Sequence, residues 1–288
     1  MRTLSRSRFG VALRTNFRIR LGGGIVCLLA LGAVVGPVLT PYDPTAQALD
    51  ARLQGPSLAH PLGTDALGRD VATRLVYGAR VSLALAVVAT LVRLTIGTAT
   101  GLLAATGGEL VDAALMRLVD VQLAFPGLVL ALVIAGALGP SLTNVVIALS
   151  VVGWATYARV VRASALAVKD RPFVQSARLY GTPRRRIVRR HLLPHVVSPV
   201  LVLATLNIGT VVLAAAGLSF LGLGAQPPTA EWGTMIAGGR DYLRSAPWLT
   251  TAPGVAIAAT VVGFNLLGDG LRDVLDPDHV ETDQRRRP

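Results

Sequence analysis

The side chains able to do chemistry are few and far apart. The four histidines stand at positions 60, 191, 195 and 279, and the single cysteine, Cys27, lies inside an apolar run. Neither a thiolate cluster nor a spaced set of imidazoles is therefore available to hold a metal. No serine sits in a nucleophile-elbow context, no carboxylates pair within an apolar segment, and no G-x-x-x-x-G-K-S/T loop is present to cradle a nucleotide's phosphates. Nucleotide hydrolysis, metal chemistry and a bound cofactor are not what these residues describe. Among the polar residues within apolar segments, Arg93, Asn207 and Asn265 stand out. Each needs a partner there, so each is a candidate for lining a pore or for bonding across a helix contact. What remains is a strongly basic stretch from Arg159 to Arg190, with ten basic residues against the single acid Asp170, which reads either as a topology signal alone or as a surface that docks a soluble partner.

The elements that must position these residues are apolar segments of spanning length. In 288 residues, 52% are hydrophobic and only 15% charged, and the mean hydropathy is +0.57. A soluble domain would carry about a quarter of its residues as charges. Six apolar blocks are expected to span, at 21–40, 81–106, 119–138 (with Pro126 inside), 142–160, 196–221 and 251–267. The first ends in Pro41-Tyr42-Asp43-Pro44 and reads as a retained helix, not a cleaved leader. Buried carboxylates near the midplane, expected of an ion-coupled carrier, are lacking; Asp112 and Asp120 lie near the connection between the second and third blocks.

The formal charge of +12 is unevenly placed. Residues 41–80 carry four acids and four bases, and residues 222–250 carry two of each. The N-terminal tail, in contrast, has arginines at 2, 6, 8, 14, 18 and 20 and no acid. This asymmetry puts both termini and the basic loop in the cytoplasm and the neutral segments outside. A nucleic-acid surface would interleave aromatics with the bases, and this one does not. Within 41–80, Asp65 between Gly63 and Gly68 is expected to form a tight turn, and Asp70 to cap a helix beginning at Val71. In the basic loop, Pro172 and Gly181 bracket a short helix and Pro183 opens another, giving a cytoplasmic helix–turn–helix.

The stretch Phe173-Val174-Gln175-Ser176-Ala177-Arg178, then Gly181, then Leu193-Pro194 resembles the Glu-Ala-Ala loop of permease subunits of bacterial ABC importers. Blocks elsewhere resemble the second, C-type permease of dipeptide, oligopeptide and nickel importers. They include His60-Pro61-Leu62-Gly63-Thr64-Asp65, Leu67-Gly68-Arg69-Asp70, Phe125-Pro126, Leu218-Ser219-Phe220-Leu221-Gly222-Leu223-Gly224, Glu231-Trp232-Gly233 and Phe264-Asn265-Leu266-Leu267-Gly268-Asp269-Gly270. The resemblance runs over about residues 15 to 278, in order and at near-constant spacing.

What the resemblance implies is an all-α polytopic membrane protein with six transmembrane helices in the type I ABC importer permease fold. A cytoplasmic tail would occupy 1–20, the permease domain 21–273 (external excursion 41–80, coupling loop 159–194) and a second cytoplasmic tail 274–288. Such a subunit sits in the bacterial inner membrane and encloses a solute path with a homologous permease. Two ATP-binding subunits drive it and an external solute-binding protein loads it, with no cofactor, metal or nucleic acid. Di- and oligopeptides are the expected solutes; nickel, another small solute, or a scaffold without a transport path are the alternatives. Phe173, Gln175, Ser176, Ala177, Gly181, Leu193 and Pro194 would dock an ATPase. Gln175 stands where the family motif has glutamate, so a salt bridge is not available to it. Single cysteines at Ser57 and Thr182, in a background where Cys27 is replaced, are expected to react with an impermeant reagent from opposite sides of the membrane.

Overall fold

The structure, a computed structural model, describes residues 16–275. The arginines before Asn16 and the segment from 276 onward, His279 included, lie outside the described residues. Ten α-helices are joined by loops and short 3-10 turns among the described residues. Helix α1 (Phe17–Leu39) starts at Asn16, whose side-chain oxygen accepts the N–H groups of Arg18 and Ile19 at 2.9 and 3.3 Å. Residues 17–20, expected in the tail, thus belong to the helix. Helix α2 (Val71–Thr106) is 36 residues long, capped by Asp70 as the sequence predicted. At 1.5 Å per residue it reaches about 54 Å, well beyond the ~30 Å of a hydrocarbon layer. Residues 71–80, read from sequence as part of the external excursion, are its first turns. Nothing between Tyr77 and Val81 breaks the helix, because Gly78 packs under Trp232.

The third block departs most from expectation. The run from Val119 to Leu138 is not one span but parts of two helices, α3 (Glu109–Leu123) and α4 (Gly127–Leu138), bent by 86°. Pro126 is the reason: it lacks an N–H and disfavours a helical residue before it, so the ladder stops at Ala124. Helix α5 (Leu142–Lys169) runs past the expected end at 160, so residues 159–169 of the basic segment belong to it. Two short helices follow, α6 (Pro172–Leu179) and α7 (Arg184–Ile187), then a π-helical turn, Val188–Leu192. The turn leads into α8 (Leu193–Phe220), where the wider spacing makes room for Pro194, which cannot donate to the ladder. A small helix, α9 (Trp232–Gly239), precedes α10 (Trp248–Leu275). Among the described residues five helices are long and apolar enough to cross a membrane, and the bent pair gives a sixth crossing if taken as one span.

In lipid the apolar side chains gain nothing from mutual burial, so helices associate by close approach. The buried positions of α2 accordingly include Gly78, Ala79, Ser82, Ala86, Ala89, Thr90, Gly97, Gly101, Ala104 and Ala105. Gly97 rests on Tyr157 and the carbonyl of Trp154, and Gly101 on the carbonyl of Ala158 and on Val161, all on α5. On the other flank α1 lies along α10, where Gly22 meets the backbone of Gly263 and Leu267.

The ends of the helices near the 41–70 and 222–247 segments are tied by polar side chains. Glu231, 1% exposed, caps α9: its Oε1 accepts from Gly233 N–H (3.0 Å) and the Ser82 hydroxyl (3.1 Å), and its Oε2 from Thr234 N–H (2.9 Å). Trp232 Nε1 donates to Leu75 O of α2 at 3.0 Å. Asp65 takes the N–H groups of Leu67 (2.9 Å) and Arg69 (3.0 Å) and the Arg69 guanidinium (2.6 Å), forming the expected turn. Arg74 bonds Pro44 O at 2.8 Å and Pro228 O at 3.4 Å, joining the segment after α1 to the one after α8.

A side chain added to the α2–α5 contact must push the helices apart. Gly97→Leu or Gly101→Leu is expected to destabilise the purified protein by about 1–3 kcal/mol or more. At Gly24 a Cβ meets nothing within 4 Å, so Gly24→Leu should be neutral or stabilising. Thermal unfolding in detergent, read for all three variants, makes the comparison.

Candidate functional site

The basic loop folds into a knob whose attachment and display can be followed residue by residue. Pro172 starts α6 and the helix ends at Tyr180, whose N–H donates to Ser176 O at 3.0 Å. Gly181 then takes φ +73°, and the N–H of Thr182 returns to Ala177 O at 3.0 Å while that of Gly181 reaches Arg178 O at 2.9 Å. That pairing closes the helix through a left-handed residue, the role for which glycine carries no steric cost. A Cβ at Gly181 would meet nothing within 4 Å, so backbone conformation alone demands glycine here.

One side of α6 is anchored. Val174, 0% exposed, is buried among Val168 at the end of α5, Ile187 of α7 and Leu192 of the π turn, with Leu102 of α2 packed against them. Phe173 stands on the start of α8, its ring 5.9 Å from that of His191 and 6.0 Å from that of His195. The knob is thus rooted on the ends of three long helices, α2, α5 and α8. The opposite side is displayed: Gln175, Ser176 and Arg178 are exposed, Ala177 is half-buried, and Leu179 and Tyr180 are 88% and 90% exposed. Around them Arg171, Arg184, Arg185, Arg186, Arg189 and Arg190 are all exposed. Leu179 and Tyr180 thus make an exposed apolar tip on a loop whose other exposed side chains are largely arginines. Gln175 Nε2 donates to Asp170 O at 3.1 Å. A glutamate could not make that bond, so the amide serves the knob's own fold. Leu193 is half-buried and Pro194 exposed, both at the start of α8.

The polar residues of the spans are not gathered with the knob. Arg93, 8% exposed, lies between α2 and α5, where its Nε donates to Leu149 O at 2.7 Å and its side chain covers Gly153. Its partner is a backbone carbonyl, which no search for a complementary carboxylate in the sequence finds. Asn207 bonds within α8, its Nδ2 to Leu203 O at 2.9 Å, and Asn265 is exposed on α10. Sequence reasoning missed Gln122 of α3, whose amide donates to Val151 O and Val152 O of α5, the latter at 2.8 Å. Its only signal was an amide four residues before a proline in an apolar run.

The chain belongs to the family described as binding-protein-dependent transport system inner membrane component, whose model matches residues 97–279. A second model, the N-terminal transmembrane domain of oligopeptide transport permease C, matches residues 12–56. Within the family the chain is a C-type permease subunit of the peptide and nickel ABC importers. It is 43% identical to a dipeptide transport system permease protein of Alkalihalophilus pseudofirmus, over 92% of this chain and 87% of that one. It is 44% identical to the nickel transport system permease protein of Escherichia coli K12, over 94% and 98% of the two chains. The fold is shared with the MetNI methionine ABC transporter, at a TM-score of 0.56 and 21% identity, over 70% of this chain and 96% of that one.

Because only torsion constrains Gly181, Gly181→Val is expected to strain the turn by about 1–3 kcal/mol, whereas asparagine enters the left-handed region readily. Hydrogen exchange of the peptide covering 172–187 should speed roughly tenfold or more in the valine variant. In Gly181→Asn it should stay near wild type.

Proposed function

We propose that this chain forms half of a solute path for di- and oligopeptides, the other half coming from a homologous permease. In this reading two ATP-binding subunits drive transport through the α6 knob, and an external solute-binding protein delivers the solute. The single observation that carries the proposal is the knob itself. An exposed apolar tip, Leu179 and Tyr180, is set in arginines and rooted through Val174 on α2, α5 and α8, so a push on the tip is delivered to the spans. Phe173, Gln175, Ser176, Ala177 and Gly181 form or support the docking helix, and Leu193 and Pro194 begin the span that receives its motion.

Peptide solutes are supported by the dipeptide transport permease of Alkalihalophilus pseudofirmus and by a Pseudomonas aeruginosa permease described for di- and tripeptides, 43% identical over 89% of this chain. The nickel permease relative, of equal similarity, favours a second reading in which the solute is nickel. In either case the chain resides in a bacterial inner membrane with both termini cytoplasmic, a reading supported by the charge asymmetry across the spans. Arg93, Asn207 and Asn265 serve helix contacts or the path, and of these Asn265 is the exposed one.

Copurification and transport test the proposal together. The full complex in vesicles should take up a dipeptide, a longer peptide or Ni²⁺ only with ATP and the loaded binding protein. The chain alone should neither hydrolyse ATP nor accumulate any of the three. Gly181→Val should keep its second permease while solute-stimulated hydrolysis falls sharply. Uptake by the isolated chain, or normal stimulation in the valine variant, overturns the coupling assignment.

A further inference from the structure

The bend between α3 and α4 leaves backbone exposed where a lipid-facing surface cannot have it. From Leu123 to Val129 every residue is exposed, with Phe125 at 56%, Leu128 at 60% and Val129 at 56%. Among the described residues no donor reaches the carbonyls of Leu123, Ala124 and Phe125, and no acceptor reaches the N–H groups of Gly127, Leu128 and Val129. The other end of α4 is treated differently: Asn144 Nδ2 donates to Leu138 O and Gly139 O, each at 2.9 Å. One end of the same helix is closed by a side chain and the other is left open.

The open end is deep. Gln122, next to the bend, bonds the carbonyls of Val151 and Val152, and a Cβ at Gly127 would lie 3.3 Å from Val152 Cγ1. Val151 and Val152 are nine and ten residues below Leu142, the external start of α5, or about 14 Å down. In a layer of ~30 Å that is the midplane. Irregular backbone at that depth persists only where protein covers it or water reaches it, because lipid offers neither donors nor acceptors.

We propose that the Leu123–Val129 bend faces the aqueous solute path at the midplane, and that Phe125 is the side chain that narrows it. The proposal rests on the permease reading above. Water, or the amide groups of a passing solute, meets the open carbonyls and N–H groups, and the Phe125 ring limits what passes when the path is shut. Pro126 holds the bend open and Gln122 pins it to α5.

The test uses the assembled transporter in vesicles, with Cys27 replaced and single cysteines at Ala124, Phe125 and Leu128. Leu31→Cys, on the exposed face of α1, is the lipid-side control. A charged methanethiosulfonate reagent reacts with the thiolate, which forms only where water reaches. Cysteines at 124, 125 and 128 should react roughly tenfold or more faster than Leu31→Cys, and excess transported solute should slow them. Three positions are used so that assembly of any one suffices. Reaction no faster than the control, in complexes that still take up solute, overturns the proposal while leaving the permease reading intact. Absence of uptake by the wild-type complex under the same conditions would instead count against that reading. As a second readout, Phe125→Ala should raise the nucleotide-free leak of a small solute several-fold and Phe125→Leu much less; equal leak in both variants and the parent overturns the narrowing role.

Discussion

The seam between α2 and α5 is the contact on which the other elements depend. It is narrow because glycine at 97 and 101 lets the α5 backbone come close, and it is crossed by a charged side chain where Arg93 reaches the carbonyl of Leu149 across Gly153. An arginine in an apolar seam would be costly if its charge faced lipid, and here it is enclosed by the two helices that need to stay together. Above the seam, α2 continues out of the membrane and meets Trp232, Glu231 and the Asp65 turn. Below it, Val168 at the end of α5 and Leu102 of α2 form the floor on which Val174 sits. The two helices therefore make one strut between the layer built on Glu231, Trp232 and the Asp65 turn and the knob at the opposite end.

That strut gives the knob a mechanical meaning. A short helix joined to the bundle by loops alone would move without consequence. Val174, Ile187 and Leu192 instead bury a continuous apolar patch against the span ends, so tilting α6 must either open a cavity there or carry the spans along. Small residues along the seam favour the second outcome, since closely fitted helices slide or rotate as bodies more readily than they deform.

Much of this was legible in the chain. Apolar runs of spanning length and the imbalance of arginines located the spans and the basic loop, and Pro172, Gly181 and Pro183 bracketed its short helices. Asp70 as a helix cap could be read because capping is local, needing only a carboxylate three residues before the N–H it accepts. The break at Pro126 was visible as a proline within the third block, but its 86° angle and the start of α3 at Glu109 were not, because both depend on what α3 and α4 pack against. Arg93 had no readable partner, since a carbonyl is present at every residue and cannot be singled out by type. Gln122 and Glu231 were illegible as connectors for the same reason: their partners lie on helices distant in sequence and are fixed only by packing. The ATPase-docking role proposed for the loop came from resemblance, and its residues acquired a physical account only once the buried and displayed sides of α6 could be separated.

The contact between α1 and α10 has a consequence for how the protein is made. Arg18 and Asp273, which pair across it at 3.3 Å, are 255 residues apart in the chain. At a synthesis rate of about 5–20 residues per second, α1 enters the bilayer roughly ten seconds to a minute before its partner exists. During that interval the glycine face at Gly22, shaped to fit the backbone of Gly263 and Leu267, rests against lipid or against whatever insertion factor holds it. The bundle cannot be sealed in the order in which it emerges. Its maturation is governed by the arrival of one late helix, and a ribosome stalled before Trp248 leaves a chain whose earliest segment has no place to dock.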